Sequence, residues 1–328
     1  MPSASLDPWL ENHLVCPRDQ GRLVLEGPQA LRCSGGHSYP VVDGIPVLLL
    51  SEATPTHGVF IESLSQARLA TPDPTGVSPV AAGTIDPFVQ KMIAATCGNM
   101  YIPLIDRLKT YPIPRLRLPR GEGKAFLDIG CSWGRWCVSA ACLGYRTVGI
   151  DPSLDGVRAA RRVARQLEVT PLYVVADARH LPFAAESFDT VFSYSVLQHL
   201  ERDDVRETAR EIGRVLRKDG VSLLQMPNRF GLLNLVYEFR QLFRRKVLFD
   251  VHYWLPSDLQ SLFSQAIGRT ELSVDGFFSL NPQKTDRALL PWRYRIVVFC
   301  SDVLRKASVA FPLLTYLADS LYVTSRRR

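Results

Sequence analysis

The chain has 328 residues, of which 46% are hydrophobic and 22% are charged, an ordinary composition for one or two globular domains. A fibre or a chain that is disordered throughout is therefore excluded. The net charge is +7, and the residues after position 228 hold 15 basic and 8 acidic side chains, which accounts for the whole excess. An anionic partner is expected near this C-terminal third.

Two features predict a cytoplasmic protein. The first residues, MPSASLDPWLENH, lack the basic and apolar regions of a secretory signal. The seven cysteines are scattered rather than arranged as a disulfide framework, which fits a reducing compartment.

No uncharged apolar stretch reaches the roughly 18 to 20 residues that cross a bilayer, and the longest, 307–318, is interrupted by Pro312.

The first 84 residues divide into two parts by composition. Short β-like runs at 22–25 and 47–50, separated by glycine-containing turns, predict a small β-rich module over 1–50. Residues 51–84 are rich in Ser, Thr, Pro, Ala and Gly and are predicted to be a linker. A larger domain is expected over 85–328.

The larger domain alternates between predicted strands and helices. The pattern is typical of a doubly wound, Rossmann-like α/β fold whose mainly parallel sheet is covered by helices on both faces. A second helical group is predicted between the last two strands. The predicted strands are 125–130, 146–151, 172–177, 188–194, 221–226, 270–278 and 320–326, and the helices are 87–108, 135–143, 153–167, 203–217, 232–249 and 289–318.

The clearest chemical motif is LDIGCSWGR at 127–135, a strand followed by small residues that open a helix. Backbone N–H groups at a helix N-terminus suit an anionic group, and glycines allow a ligand to approach closely. The dinucleotide pattern G-x-G-x-x-G is not satisfied, because Ser132 and Arg135 occupy its later glycine positions, which argues against an NAD-dependent dehydrogenase. Asp151 ends the next strand, where a carboxylate can accept both hydroxyl groups of a ribose.

Further motifs follow in order: VADA at 175–178 ends the third strand, and SFDTVFS occupies 187–193. With these, residues 100–326 resemble the class I S-adenosylmethionine-dependent methyltransferases, which implies a seven-stranded sheet and this cofactor. The resemblance implies that Gly130, Ser132 and Gly134 line the amino-acid end of the cofactor and that Asp128 holds its amino group. It places Asp151 at the ribose, Pro152 and Ser153 beside the adenosine, Asp177 and Ala178 at the adenine, and Ser193 near the reactive end.

Two histidines are candidate bases for methyl transfer, a reaction that depends mainly on alignment and exclusion of water. His199 follows the fourth strand, where the resemblance places it at the rim of the cleft, and His252 precedes a helix start. Each is either a general base or a structural histidine. Asn228 lies at a strand end where ligand-binding loops gather, but Pro-Asn is also an ordinary turn.

The N-terminal module contains a candidate metal site. Cys16, Asp19, Cys33 and His37 come from two predicted turns, and four such ligands suit tetrahedral zinc. The module resembles the zinc-ribbon-like units of methyltransferase activator proteins and of some ribosomal RNA guanine methyltransferases. Asp19 stands where that pattern has cysteine, so either a metal-binding ribbon or one that has lost its metal fits the sequence.

The C-terminal helices leave the partner open. Three roles are open for their basic residues. They form a solvated face, they contact an anionic inner membrane surface, or they bind nucleic acid. Arg158, Arg161, Arg162 and Arg165 are predicted to be a solvated face of their helix. Because the helical segments 229–268 and 287–318 are rich in Leu, Phe, Trp and Tyr, they are predicted to form a lid over an acceptor with an apolar portion.

These observations favour methylation of an oxygen on a small-molecule, glycan or lipid-linked acceptor. An RNA methyltransferase is the alternative enzyme, and a steep salt dependence of RNA binding would support it. A protein that binds the cofactor without catalysis, using the ribbon to dock on a partner, is the third hypothesis.

Overall fold

The computed structural model describes residues 6–69, 73, 84–96, 101–104, 107–236, 251–278 and 284–328. The N-terminal module is a short helix followed by an antiparallel sheet of four strands in sequence order. Its elements are α1 (Pro8–His13), β1 (Leu23–Leu25), β2 (Ala30–Cys33), β3 (Ser38–Val42) and β4 (Ile45–Pro46).

The larger sheet has seven strands, as predicted: β5 (Ala125–Ile129), β6 (Arg146–Asp151), β7 (Leu172–Val175), β8 (Phe188–Ser193), β9 (Leu216–Pro227), β10 (Gly268–Gly276) and β11 (Ser320–Arg327). Their order across the sheet is β10-β11-β9-β8-β5-β6-β7. The five strands from β9 to β7 are parallel, while β11 pairs antiparallel with both β9 and β10. The mainly parallel Rossmann-like fold is confirmed.

Helices cover both faces of this sheet. The described helices are α2 (Gly58–Arg68), α3 (Pro87–Thr96), α4 (Arg135–Cys142), α5 (Leu154–Gln166), α6 (Arg202–Val215), α7 (Pro256–Ala266), α8 (Trp292–Ala310) and α9 (Leu314–Leu317), with 3-10 turns at Ile102–Leu104, Leu197–His199 and Lys284–Leu289. Strand β5 illustrates the two layers, because its side chains alternate between them. Leu127 and Ile129 pack in the core that contains α6 and α7, while Phe126 packs against Trp136 of α4.

The N-terminal module shares its hydrophobic core with the larger sheet. Leu14, Leu31 and Leu48 belong to the same buried cluster as Leu127 and Phe183. Backbone hydrogen bonds reinforce this contact, from the Val15 N–H to the Pro182 carbonyl and from the Leu48 N–H to the Val175 carbonyl. Within the predicted linker, α2 packs on α5, where Ser63 accepts a hydrogen bond from the Leu154 N–H. The division at 50 and 84 stays a prediction.

The prediction that the arginines of α5 form a solvated face is wrong for Arg158 and Arg162. The Arg158 side chain is only 2% exposed and pairs with Asp43 of the module at 2.9 Å. Arg162 pairs with Asp73 and Asp86, at 2.6 and 3.1 Å. The cause is tertiary: the module and the residues after it cover this face of α5, so two arginines bind carboxylates there.

The C-terminal helices lie where the sequence predicted, with one break. The structure inserts α8 and α9 between β10 and β11. The predicted helix at 289–318 is interrupted because Pro312 cannot continue the backbone hydrogen bonding of α8. Most of the predicted helix at 232–249 falls outside the described residues. Among the helices that the structure describes, none has the length and apolarity needed to cross a membrane.

Candidate cofactor and metal sites

The loop after β5 has the backbone geometry of a tight ligand-binding turn. Gly130, Ser132 and Gly134 all have positive φ, at 76°, 47° and 80°. A Cβ on Gly130 would collide with Val196, and one on Gly134 would lie 2.8 Å from the hydroxyl oxygen of Tyr173. Both glycines are therefore required by the fold itself, and Gly134 is the N-cap of α4.

Asp128 is the most perturbed acid of the site. It is 1% exposed, and its pKa is raised to about 7, chiefly by burial and also by the nearby Asp151 charge. Oδ2 accepts a hydrogen bond from the Cys137 thiol at 3.2 Å. Oδ1 is buried and has no hydrogen-bond partner among the described residues. A buried carboxylate oxygen without a donor is suited to a cationic ligand group.

Asp151 joins the first loop to the second. Its carboxylate accepts hydrogen bonds from the backbone N–H groups of Ser132 and Ser153, both at 2.9 Å. The side chain is half-buried, and loss of hydration raises its pKa, although both hydrogen bonds and the nearby His57 oppose the rise. Ser153 then caps α5 by accepting from the Gly156 N–H at 3.0 Å. Pro152, between them, is half-buried at the same edge of the sheet.

Asp177 is held by an arginine that the sequence reasoning missed. The Arg179 guanidinium donates from Nε and Nη2 to the Asp177 carboxylate, with the shortest distance 2.6 Å. It also binds Asp204 and the carbonyl oxygen of Thr54, so it ties the segment before α2 to the third strand end. Ala178 lies between them and is half-buried. The adenine contact expected of Asp177 stays a prediction.

A buried polar network lies beside the fourth strand end. The Ser193 hydroxyl donates to the Ile129 carbonyl at 2.9 Å, so Ser193 fixes β8 against β5. Tyr194 and Ser320 both donate to Asp275, at 2.8 and 2.9 Å, and burial raises the pKa of the Tyr194 phenol well above its usual range. The Gln225 amide donates to the Ser320 hydroxyl. Asp275 belongs to β10, and nothing in the local sequence indicated it.

Gln198 contacts the ring of one candidate base, His199, and the backbone of the other, His252. Its side-chain amide nitrogen lies 3.2 Å from His199 Nε2, and its backbone carbonyl accepts a hydrogen bond from the backbone N–H of His252 at 2.8 Å. His252 is 30% exposed, with Nε2 3.7 Å from Glu201. Asn228 is completely buried, and its amide donates to the carbonyls of Tyr316 and Ala318, which is a structural role. The catalytic roles of the histidines stay predictions.

The four candidate metal ligands come together in the module. One ligand atom from each of Cys16, Asp19, Cys33 and His37 lies within 4.8 Å of all the others. His37 Nδ1 is 3.4 Å from each thiol sulfur and 3.0 Å from Asp19. The Gly21 N–H holds the Asp19 carboxylate and lowers its pKa to about 2. A side chain at Gly35 would collide with Asp19, so the turn is shaped around this carboxylate. Separations of 3 to 4 Å fit a tetrahedral zinc with bonds of about 2.0 to 2.3 Å.

The sheet order agrees with the seven-stranded fold that the sequence resemblance implied. Residues 127–224 match the family described as "Methyltransferase domain". These residues therefore form a methyltransferase domain, which agrees with the resemblance that the motifs indicated.

Two of the similar proteins are named as O-methyltransferases. The chain is 32% identical over 108 residues to the "Ubiquinone biosynthesis O-methyltransferase" of Mesorhizobium japonicum, a match that covers 33% of this chain and 43% of the relative. It is 30% identical over 151 residues to the protein of the same name from Brucella ovis, which covers 44% and 60%. The matches thus span less than two thirds of these relatives.

Solved structures of the same kind are more distant. A S-adenosylmethionine-dependent methyltransferase from Methanosarcina mazei is 17% identical with a TM-score of 0.46, covering 63% of this chain and 93% of that one. Phosphoethanolamine N-methyltransferase 2 of Haemonchus contortus, solved with S-adenosyl-L-methionine, is 16% identical with a TM-score of 0.44, covering 74% and 56%.

Proposed function

We propose that the protein transfers a methyl group from S-adenosylmethionine to an oxygen atom of a small-molecule, glycan or lipid-linked acceptor. The observation that carries the cofactor assignment is the buried Asp128 Oδ1, which has no donor among the described residues and lies below a loop of positive-φ backbone. In this proposal Asp128 binds the cofactor's amino group.

The neighbouring strand ends supply the other contacts. Asp151 already accepts two backbone hydrogen bonds, so its carboxylate is fixed in orientation before a ribose binds to its remaining lone pairs. In the same way, the hydrogen bond from Arg179 fixes the orientation of the Asp177 carboxylate before an adenine binds. This preorganisation favours binding, because little conformational freedom is then lost when the ligand arrives.

S-adenosylmethionine, when bound, supplies a methyl group attached to a positively charged sulfur. The chain's task is to hold the acceptor oxygen in line with that group and to exclude water. An oxygen acceptor gives up its proton during the transfer, and a histidine is a suitable base near neutral pH. His199 and His252 are the proposed bases: His199 lies in the turn after the fourth strand, and the backbone of His252 is hydrogen-bonded to Gln198 of that turn.

The names of the relatives and the apolar helices favour an acceptor with an apolar portion. The two relatives named above are O-methyltransferases of ubiquinone biosynthesis. Within the predicted lid, Leu290 and Val298 face inward and pack in a buried apolar cluster with Trp133 of the loop after β5. A phenolic ring with an isoprenoid chain is therefore the first acceptor to test.

The test measures transfer of a labelled methyl group to four acceptors: an isoprenylated phenol, the same phenol without its chain, a glycan and total RNA. We expect methylation of the isoprenylated phenol and its loss in Asp151→Ala. Asp203→Ala is the matched control, since that carboxylate is 93% exposed on α6. Methylation of RNA alone would replace the proposed acceptor with the alternative one, and cofactor binding without turnover of any acceptor would favour the non-catalytic partner.

We also propose that Cys16, Asp19, Cys33 and His37 hold a structural zinc ion. The support is the convergence of all four ligand atoms, one pair from each of two turns of the module. Metal analysis of protein purified with added zinc is expected to find one zinc per chain, and none in Cys16→Ser/Cys33→Ser. Cys142→Ser/Cys300→Ser changes two exposed cysteines and serves as the control. Wild-type protein without zinc would contradict the proposal.

A further inference from the structure

Helix α8 presents a row of large apolar side chains to solvent. Trp292, Ile296, Phe299 and Val303 are 75%, 52%, 53% and 47% exposed. Their spacing of four, three and four residues places them on one side of an α-helix, along about 17 Å of its length. We call these four residues the apolar face of α8. A contiguous exposed apolar surface of this kind is typical of an interaction site, whereas single exposed apolar side chains are common on any protein surface.

The segment that contains α8 carries a net positive charge beside this face. Residues 287–318 contain five basic residues and one acidic residue, Asp302, whose carboxylate is bound by Arg305 and Lys306. Helical geometry places Arg293 on one flank of the apolar face and Arg295 and Lys306 on the other. Arg287 lies over the Phe299 ring at 5.5 Å, so a guanidinium group also sits directly at the face.

The opposite side of α8 packs against α3, the loop after β5 and the end of β10. Val298 is buried in a cluster with Ile93 of α3 and with Trp133 of the loop after β5. Ser301 accepts a hydrogen bond from the Phe277 N–H at the end of β10. The helix is therefore part of the folded domain, and its apolar face points outward from the wall of the proposed reaction site.

The apolar surface continues past the end of α8. Phe311, Leu313 and Tyr316 are 65%, 79% and 54% exposed. The Leu232 N–H donates to the Leu317 carbonyl, which brings a second exposed segment next to this turn. Phe230 and Leu235 of that segment are 46% and 47% exposed.

Charge decides which partner fits. A second copy of the chain, packed through the same face, would bring two sets of five cations together with only one acid in each set. Repulsion between these like charges across the interface opposes association. An RNA strand would match the charge, but the aliphatic members Ile296 and Val303 do not provide stacking platforms for bases. An apolar row flanked by arginine and lysine matches a membrane interface, where acyl chains and anionic headgroups lie next to each other.

We propose that the apolar face of α8 docks the protein on an anionic lipid surface. The four apolar side chains enter the interfacial layer, and Arg293 and Lys306 contact lipid phosphates, while Arg295 holds the backbone carbonyls of Leu290 and Ala288. This docking is independent of the proposed methyl transfer. If the docking and the methyl transfer are both correct, a lipid-linked acceptor reaches the reaction site from the membrane against which α8 lies.

The experiment measures sedimentation of the full chain with vesicles of equal parts phosphatidylcholine and phosphatidylglycerol, without cofactor or acceptor. We expect binding that falls at least about tenfold in Trp292→Ser/Phe299→Ser, because large apolar contacts are lost. Arg293→Gln/Lys306→Gln should lose about tenfold or more on these vesicles, and wild-type binding should weaken with added salt. Vesicles of phosphatidylcholine alone should bind the wild type only weakly.

Ile61→Ser/Leu69→Ser is the matched control, since these side chains of α2 and its C-cap are 56% and 78% exposed at another surface. It should bind vesicles like the wild type, and thermal unfolding should show that all variants fold. Absence of vesicle binding, or binding that the α8 variants leave unchanged, would overturn the proposal. A dimer that Trp292→Ser/Phe299→Ser converts to monomer would also overturn it, in favour of a second copy. Because no methyl transfer is measured, failure here does not bear on the enzymatic proposal.

Discussion

Replacing Asp128 with asparagine is expected to raise stability and lower cofactor affinity at once. Burial raises the pKa of this carboxyl from its ordinary 3.8 to about 7. The folded state therefore holds the proton more tightly than the unfolded state does. The free energy of unfolding consequently falls as pH rises from the unfolded pKa to the folded pKa. Above pH 7 the buried carboxylate is charged and the destabilisation is complete.

The magnitude follows from the size of the shift. A rise of roughly 3 pKa units corresponds to about 4 kcal/mol lost above pH 7, and to about 1 kcal/mol at pH 4.5. Asparagine has no charge to bury, and its carbonyl oxygen can still accept from the Cys137 thiol. Asp128→Asn should therefore gain about 1 to 4 kcal/mol at pH 8 and much less at pH 4.5.

The assay is urea unfolding of the ligand-free protein at both pH values, paired with calorimetric titration of S-adenosylhomocysteine. Loss of a charge-assisted contact to the ligand's amino group should weaken binding by about 10- to 100-fold. Asp258→Asn, at a carboxylate that is 45% exposed on α7, is the control and should change neither quantity appreciably. A loss of stability at pH 8, or a gain that does not depend on pH, would refute the reasoning.

Three other substitutions test how the fold supports the site. Arg158→Met should lower the free energy of unfolding by about 2 to 3 kcal/mol in urea titrations, since it removes a buried partner of Asp43; no change would mean that the module docks without this pair. Gly130→Ala should cost about 1 to 3 kcal/mol in the same measurement, because a Cβ at φ 76° collides with Val196, and a neutral result would contradict the packing described. Arg179→Met should weaken S-adenosylhomocysteine binding about tenfold by releasing Asp177, while circular dichroism remains native; unchanged affinity would show that Asp177 needs no such orientation.

The sequence predicted those parts of the fold that local periodicity determines. Strand 146–151 is observed at those bounds, and the helix predicted at 153–167 is α5, Leu154–Gln166. Strand β9 begins at Leu216, directly after α6 and earlier than the predicted 221. Its pairing with β8 contains a register shift. Such pairing depends on a neighbouring strand and leaves no local pattern.

The site was predictable where a motif supplied both residue and position. Asp128 and Asp151 lie at the ends of adjacent parallel strands, and the metal ligands converge from two turns. His57 near Asp151, Arg179 on Asp177 and Asp275 beneath Tyr194 were not predicted. Two of these contacts join segments that are distant in sequence. Arg179 lies two residues after Asp177, and this spacing was the one signal that could have found it.

Calorimetric titration of the wild-type protein with S-adenosylhomocysteine, beside Asp151→Ala and the exposed control Asp203→Ala, tests the cofactor site most directly. The account predicts that the wild type and the control bind with one site per chain and that Asp151→Ala does not bind measurably. A folded wild-type protein that fails to bind, or Asp151→Ala binding as tightly as wild type, would contradict the assignment of this site.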